Sequence, residues 1–330
     1  MAGPKRSIGA SYLGGVSLQD ASWPTAGSGC LMPPFGVPAH TTHTFAHISF
    51  HGKCDASPLV SEYSAVSRCN FPLGKYRLVR RLDDTESGEA HLARLVGVDG
   101  FEKPVVIWRV HLTPTHSTDL INAITFEAKQ GAVLSHAGIT QVLDLGVVDG
   151  MCFVVTEHAP GHTLESVLRV TAELAWPLAA HIGCEVAGAL SYAHGRRNAD
   201  GELLRLVHRR LCPGRIALSS AGDVKVTGFG TSWVWAQLDA YRSPEEERGE
   251  PVDGRADVFA LGAILRSCVS MAGAPDALCE VIDHATQSYP EHRPTAAELQ
   301  QELTRVLHTV QAPVVPRDIA ALSEIAAVRS

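Results

Sequence analysis

The apolar pattern of this chain changes period once, and that change restricts the fold more than any other feature. Between Tyr76 and Glu157 the apolar residues fall in short strand-like stretches. Tyr76 to Leu82, Ala90 to Val96 and the β-branched run Pro104 to Leu112 read as three strands, with a polar turn at Asp83 to Gly88. Gly138 to Val147 and Met151 to Glu157 read as a hairpin around Asp149-Gly150. Thr118 to Leu134 is the one helix expected in this half. After Thr163 the period becomes helical. Thr163 to Val170 is a short helix, and Trp176 to Ala193 places Ile182, Val186 and Leu190 on one buried stripe. Val207 to Leu218 and Val224 to Val226 read as short strands and loops. Asp257 to Val269, Ala277 to Ala285 and Thr295 to Val310 are further helices. A run of strands followed by a run of helices predicts an α+β chain with the two kinds of structure segregated.

The flanks differ. Residues 1–70 are rich in Gly, Pro, Ser, Thr and His without a sustained period, and are expected to be disordered or to lie upstream of the true translation start. His40, His43, His47 and His51 would share a face on a helix, but Pro38 and the threonines oppose one, so a solvated tract is the expectation. Residues 311–330 read as a short tail with one helix, Ile319 to Val328. The ordered domain is expected over 71–310, divided into 71–159 and 160–310. With a net charge of −7 the chain offers no electrostatic basis for nucleic acid or an anionic membrane as partner. Eight cysteines without a CxxC pair fit a reducing compartment, and no apolar run is long enough to span a bilayer. A cytoplasmic protein is expected.

Motifs then fall in a specific order. Tyr76-Arg77-Leu78 opens the first strand, Gly88-Glu89 precedes Leu92-Ala93-Arg94, and Pro104-Val105-Val106-Ile107 forms the third strand. Glu127 is followed by Leu134-Ser135-His136, and Glu157-His158-Ala159 ends the strand-rich half. Val207-His208-Arg209, Val224-Lys225-Val226-Thr227, Ser243-Pro244-Glu245, Asp257-Val258-Phe259-Ala260-Leu261-Gly262 and Arg293-Pro294 complete the series. In these residues, over about Tyr76 to Val310, the chain resembles bacterial serine/threonine protein kinases. The resemblance implies a two-lobed fold: an antiparallel five-stranded N-lobe with helix C, and a mainly helical C-lobe. It implies that Glu245 and Arg293 form a buried ion pair, whose one-sided loss costs roughly 3–5 kcal/mol. It also implies that Asp257 caps the catalytic-loop backbone and that His208 packs on Phe229.

Phosphoryl transfer needs held phosphates, metal ions and an aspartate that orients the nucleophile. By the resemblance, the strand lysine is Trp108, two residues after Val106 of the same nucleotide site, and its partner is Glu127. The phosphate loop reads Asp83-Asp84-Thr85-Glu86-Ser87-Gly88, with one glycine kept. A like-charge pair at about 5 Å costs roughly 3 kcal/mol at an effective dielectric of about 20, which opposes polyphosphate. The catalytic aspartate is Arg210, which cannot accept a proton. The next lysine or serine is Cys212, the metal-binding asparagine is Arg215, and the metal-binding aspartate is Gly228. Glu157 and Ala159 fall at the hinge. The segment from Thr231 to Arg242 is short and lacks the usual threonine before Tyr241.

These replacements predict a pseudokinase, a regulatory or scaffolding module that binds other signalling proteins, an active kinase among them. The alternative is a weak or atypical serine/threonine kinase that binds ATP. No cofactor is expected, ATP without magnesium being the lesser alternative. Arg210 and Arg215 are expected to pair with Glu127 or with Asp83, Asp84 and Glu86, leaving the cleft filled or closed.

Overall fold

The computed structural model describes residues 74–85, 88–111, 118–148, 151–231, 239–309 and 314–329. The extension 1–70 with its four histidines lies outside the described residues, as do Glu86, Ser87 and the Asp149-Gly150 pair.

The strand-rich half forms one antiparallel sheet from β1 (Tyr76–Thr85), β2 (Gly88–Val96), β3 (Glu102–His111), β4 (Val142–Val148) and β5 (Met151–Glu157), in the order β1-β2-β3-β5-β4. Its central strand β3 shows why the sequence there is a continuous apolar run. Val105 and Ile107 pack with Tyr76, Ala93, Phe153 and Val155 on one face. Val106, Trp108 and Val110 pack on the other against Ile124 and Ala128 of helix α1 (Thr118–Ala132). A strand buried on both faces loses the polar alternation of a half-exposed one.

The second half holds a small sheet of β6 (His162–Thr163), β7 (Ile216–Leu218) and β8 (Val224–Val226). Around it stand α2 (Leu164–Thr171), α3 (Trp176–His194), the single turn α4 (Pro244–Glu247), α5 (Gly254–Cys268), α6 (Asp276–Ala285), α7 (Ala296–Thr309) and α8 (Pro316–Arg329). Helix α3 is central: Ile182, Val186 and Leu190 join Leu261 and Ile264 of α5 and Leu299 and Leu303 of α7 in one core. The two halves are laced by backbone bonds, Thr140 N–H to the Val226 carbonyl at 3.0 Å and Val226 N–H to the Gly138 carbonyl at 2.8 Å. This is the expected α+β, two-lobed architecture.

Three details differ from the sequence reading. Asp83 and Asp84 belong to strand β1 rather than to a turn, paired with Ala90 and Glu89, and Thr85 pairs with Gly88. Ladder pairing to β2 prevails there over the poor strand preference of aspartate. Helix α5 starts before Asp257, because the Asp253 side chain accepts from Arg255 N–H and caps it. The tail is a longer helix than expected. Pro316 opens α8, Asp318 accepts from Val315 N–H at 2.9 Å, and Ile319, Leu322 and Ala326 enter the core of the helical half. The i, i+3, i+7 spacing of those three residues makes α8 part of the domain, seated against α2, β6 and β7.

Candidate functional site

A cleft of about 640 Å³ opens between the two sheets. Its upper wall is Ala90 from β2 with Val106 and Trp108 from β3. Glu157, His158 and Ala159 close one end, where β5 leads into β6. The lower wall is the segment from Arg209 to Arg215 with Ala217 of β7.

The lower wall is held by one carboxylate. Asp257 is buried in α5 and accepts from His208 N–H and Arg209 N–H, both at 2.8 Å, and faces His194 Nε2 at 2.8 Å. Burial raises its pKa, but the hydrogen bond and charge of His194, with the His208 contacts, outweigh this and hold it below the usual carboxylate value. Arg209 takes φ 65°, an uncommon angle for a side-chain-bearing residue. Two bonds from one carboxylate on adjacent amides keep it there. The His208 ring meets Phe229 edge-on, centroids 4.7 Å apart. Below, Arg293 grips Glu245 with two bonds of 2.7 Å. Its remaining donors go to the carbonyls of Gln287, Ser288 and Arg255, so the buried cation is fully bonded. Burial alone would raise the Glu245 pKa; the Arg293 bonds and charge bring it below the ordinary value.

The positions that the resemblance assigns to the reaction hold the following side chains. Trp108 is 7% exposed, and its indole N–H donates to Thr156 Oγ1 at 3.0 Å. The Arg215 guanidinium, itself almost wholly buried, lies 5.3 Å over the indole ring. Trp108 and Arg215 thus form a cation–π stack on the cleft wall. Gly88 is kept for packing: a Cβ there would collide with the Arg109 carbonyl oxygen on β3. Gly228 takes φ +100° beside Arg215 and His208, with no side chain to offer a ligand. Cys212 is buried in the wall, and burial pushes its thiol pKa up, away from a thiolate. Glu157 is bonded to Lys225 Nζ at 2.7 Å and so ties the end of β5 to β8. Glu127 on α1 is half-buried and within electrostatic range of Arg210.

These residues do not fit magnesium. The ion takes oxygen ligands, and Gly228, Arg215 and Arg210 supply none. Among the described residues no three His, Cys, Asp or Glu side chains gather where one ion could bind.

The cleft is not filled, since about 640 Å³ stays open; the pairing expected of Arg215 with Asp83, Asp84 and Glu86 turns on side chains outside the described residues. Arg210 makes no ion pair among the described residues, and its Nε is buried without a hydrogen-bond acceptor. The Trp108 indole is bonded to Thr156 and covered by Arg215, and the volume beside it stays open. The Asp83 backbone is fixed on β1, away from the turn to which the sequence reading assigned it. The sequence reading also missed Arg80, Arg169 and Arg242 as lining residues, Thr156 as the partner of Trp108, and His194 as the partner of Asp257. They come from β1, α2, the approach to α4, β5 and the end of α3, with no motif to join them.

Known proteins place this geometry. The family model for protein tyrosine and serine/threonine kinases matches residues 77–254. The tyrosine-protein kinase MasK of Myxococcus xanthus is 34% identical over 209 residues, 59% of this chain and 32% of that protein. The serine/threonine-protein kinase PrkC of Bacillus subtilis is 25% identical over 203 residues, 58% and 30% of the two chains. The chain thus spans about a third of the length of these relatives. The Mycobacterium tuberculosis PknI kinase domain shares the fold with a TM-score of 0.56 at 24% identity, covering 71% of this chain and 96% of that one. Among the described residues no helix is long and apolar enough to cross a membrane. With the sheet order, the inter-sheet cleft and the Asp257 and Glu245–Arg293 braces in place, the family match settles the assignment: this chain belongs to the protein tyrosine and serine/threonine kinase family.

Proposed function

We propose that this kinase-family domain is a pseudokinase, a regulatory or scaffolding module in signalling that works by binding other signalling proteins, an active kinase among them. One observation carries the reading. The side chains that hold the frame are in place, while Trp108, Arg210, Arg215 and Gly228 stand at the positions that the resemblance gives to the phosphate-pairing lysine, the catalytic aspartate and the metal ligands. An arginine cannot orient a hydroxyl by accepting its proton, and an indole cannot pair with phosphates as a cation does.

The test is transfer of labelled γ-phosphate, with magnesium or manganese, to the chain itself and to a generic protein substrate. Labelling is expected to equal that of heat-denatured protein. Metal-dependent labelling above that level, lost in Arg210→Ala, would sink the reading. The open cleft of about 640 Å³ favours a second reading, a weak or atypical kinase that binds ATP. The same assay separates the two.

A further inference from the structure

The charge of the cleft runs against the charge of the chain. The chain as a whole carries −7. The cleft is lined by Arg80, Arg169, Arg209, Arg210, Arg215 and Arg242, against two carboxylates, Glu157 and Glu165. Both carboxylates already have cations: Glu157 has Lys225 at 2.7 Å, and Glu165 has Arg169 at 3.2 Å. An excess of guanidinium therefore gathers in a concave space where field is focused.

The arginines are not equivalent. Arg215 is spent on the Trp108 ring. Arg242 donates to the Glu246 carbonyl at 3.0 Å. Arg210 has no ion pair among the described residues, and its Nε is buried and lacks an acceptor. Burial weighs most against its charge; Glu246 and Glu127 favour that charge, and Arg242 and Arg209 oppose it. A buried donor without an acceptor is destabilising, and an anion that drew the guanidinium toward the cleft would relieve it. Guanidinium is the side chain best suited to phosphate, through paired N–H donors.

We infer that the arginine end of this cleft is a phosphate-binding site that works without a metal ion, with Arg210 as its principal donor and Arg209 and Arg242 beside it. Magnesium, which conventionally shields the phosphates, has no ligands here and would compete with the arginines for the same oxygens. The phosphate arrives on a nucleotide, whose ring would lie in the slot between Ala90 and Val106 above and Ala217 below, or as inorganic polyphosphate. The inference rests on the non-catalytic reading of the same cleft.

Isothermal titration calorimetry of the full chain tests it, with ATP and with tripolyphosphate, each in EDTA and in excess magnesium. Binding is expected in EDTA and is weakened severalfold by magnesium. Arg210→Gln is expected to lose roughly tenfold or more in affinity. Equal affinity for the two ligands assigns the site to polyphosphate; tighter ATP binding assigns it to nucleotide. No binding in EDTA, binding that requires magnesium, or unchanged affinity in Arg210→Gln overturns the inference. The magnesium comparison uses the parent protein alone, so it decides even where the variant fails to fold. Failure of this site without phosphoryl transfer leaves the non-catalytic reading standing; transfer overturns that reading whatever the calorimetry gives.

Discussion

His208 can carry only one proton within its bonding pattern. Its Nε2 faces the Thr227 carbonyl at 2.9 Å and so donates, while Nδ1 accepts from Arg210 N–H at 3.2 Å. A second proton would sit on Nδ1, against that N–H. Burial pushes the His208 pKa below its ordinary 6.5, and Asp257 only partly restores it. Burial and Arg80 lower His158 in the same way. In the unfolded chain both take a proton near pH 6.5. Folding therefore excludes protons that the unfolded state binds, and stability is complete above about pH 6.5 and falls as pH drops below it. Melting temperature is expected to decline from pH 7 to pH 5, before the depressed carboxylates Asp257 and Glu245 begin to titrate. A melting temperature that stays flat over that interval would contradict the neutral, buried assignment of His208.

At the level of elements, α8 is the clearest departure from a minimal domain. Ile319 is fully buried, with Leu322 and Ala326 along the same face. Ile319→Ala is expected to cost about 2–5 kcal/mol in urea unfolding, as for a core residue. A loss below about 0.5 kcal/mol would mean that the helix stands off the domain. The five strands, α1 and most helices of the second half were legible from periodicity, since β3 and α3 carry long, unambiguous apolar patterns. Helix α8 was half legible: its apolar face uses two large residues and an alanine, too little signal to separate a docked helix from a tail. Motif order picked out Trp108, Arg210 and Arg215, which line the cleft, and Gly228, which is not among its lining residues. It did not reveal the open volume. That depends on which way the indole turns, and Thr156 and Arg215, from separate segments, decide it. Helix α1 shows the same limit. Gly131 brings it so close to Phe229 and Gly230 that a Cβ would lie 3.0 Å from the Phe229 carbonyl oxygen, a contact no local pattern announces.

Over the whole molecule, a kinase-family frame surrounds a cleft whose charge opposes that of the chain. Tight braces hold the frame where Glu245, Arg293 and Asp257 lie, and arginines gather in the cleft. The Trp108–Arg215 stack joins the two, since one partner comes from the upper sheet and the other from the lower wall. It has an optical consequence. The chain has five tryptophans, and Trp108 is a wall of the cleft, with a cation resting on its ring. Any solute that draws Arg215 aside, or lies along the indole, alters the field across that chromophore and hence its emission. Titration with tripolyphosphate in EDTA is expected to change the fluorescence of the parent and to leave Trp108→Phe unchanged; an identical response in both would place the signal elsewhere. Trp108 is thus an optical reporter built into the wall of the cleft.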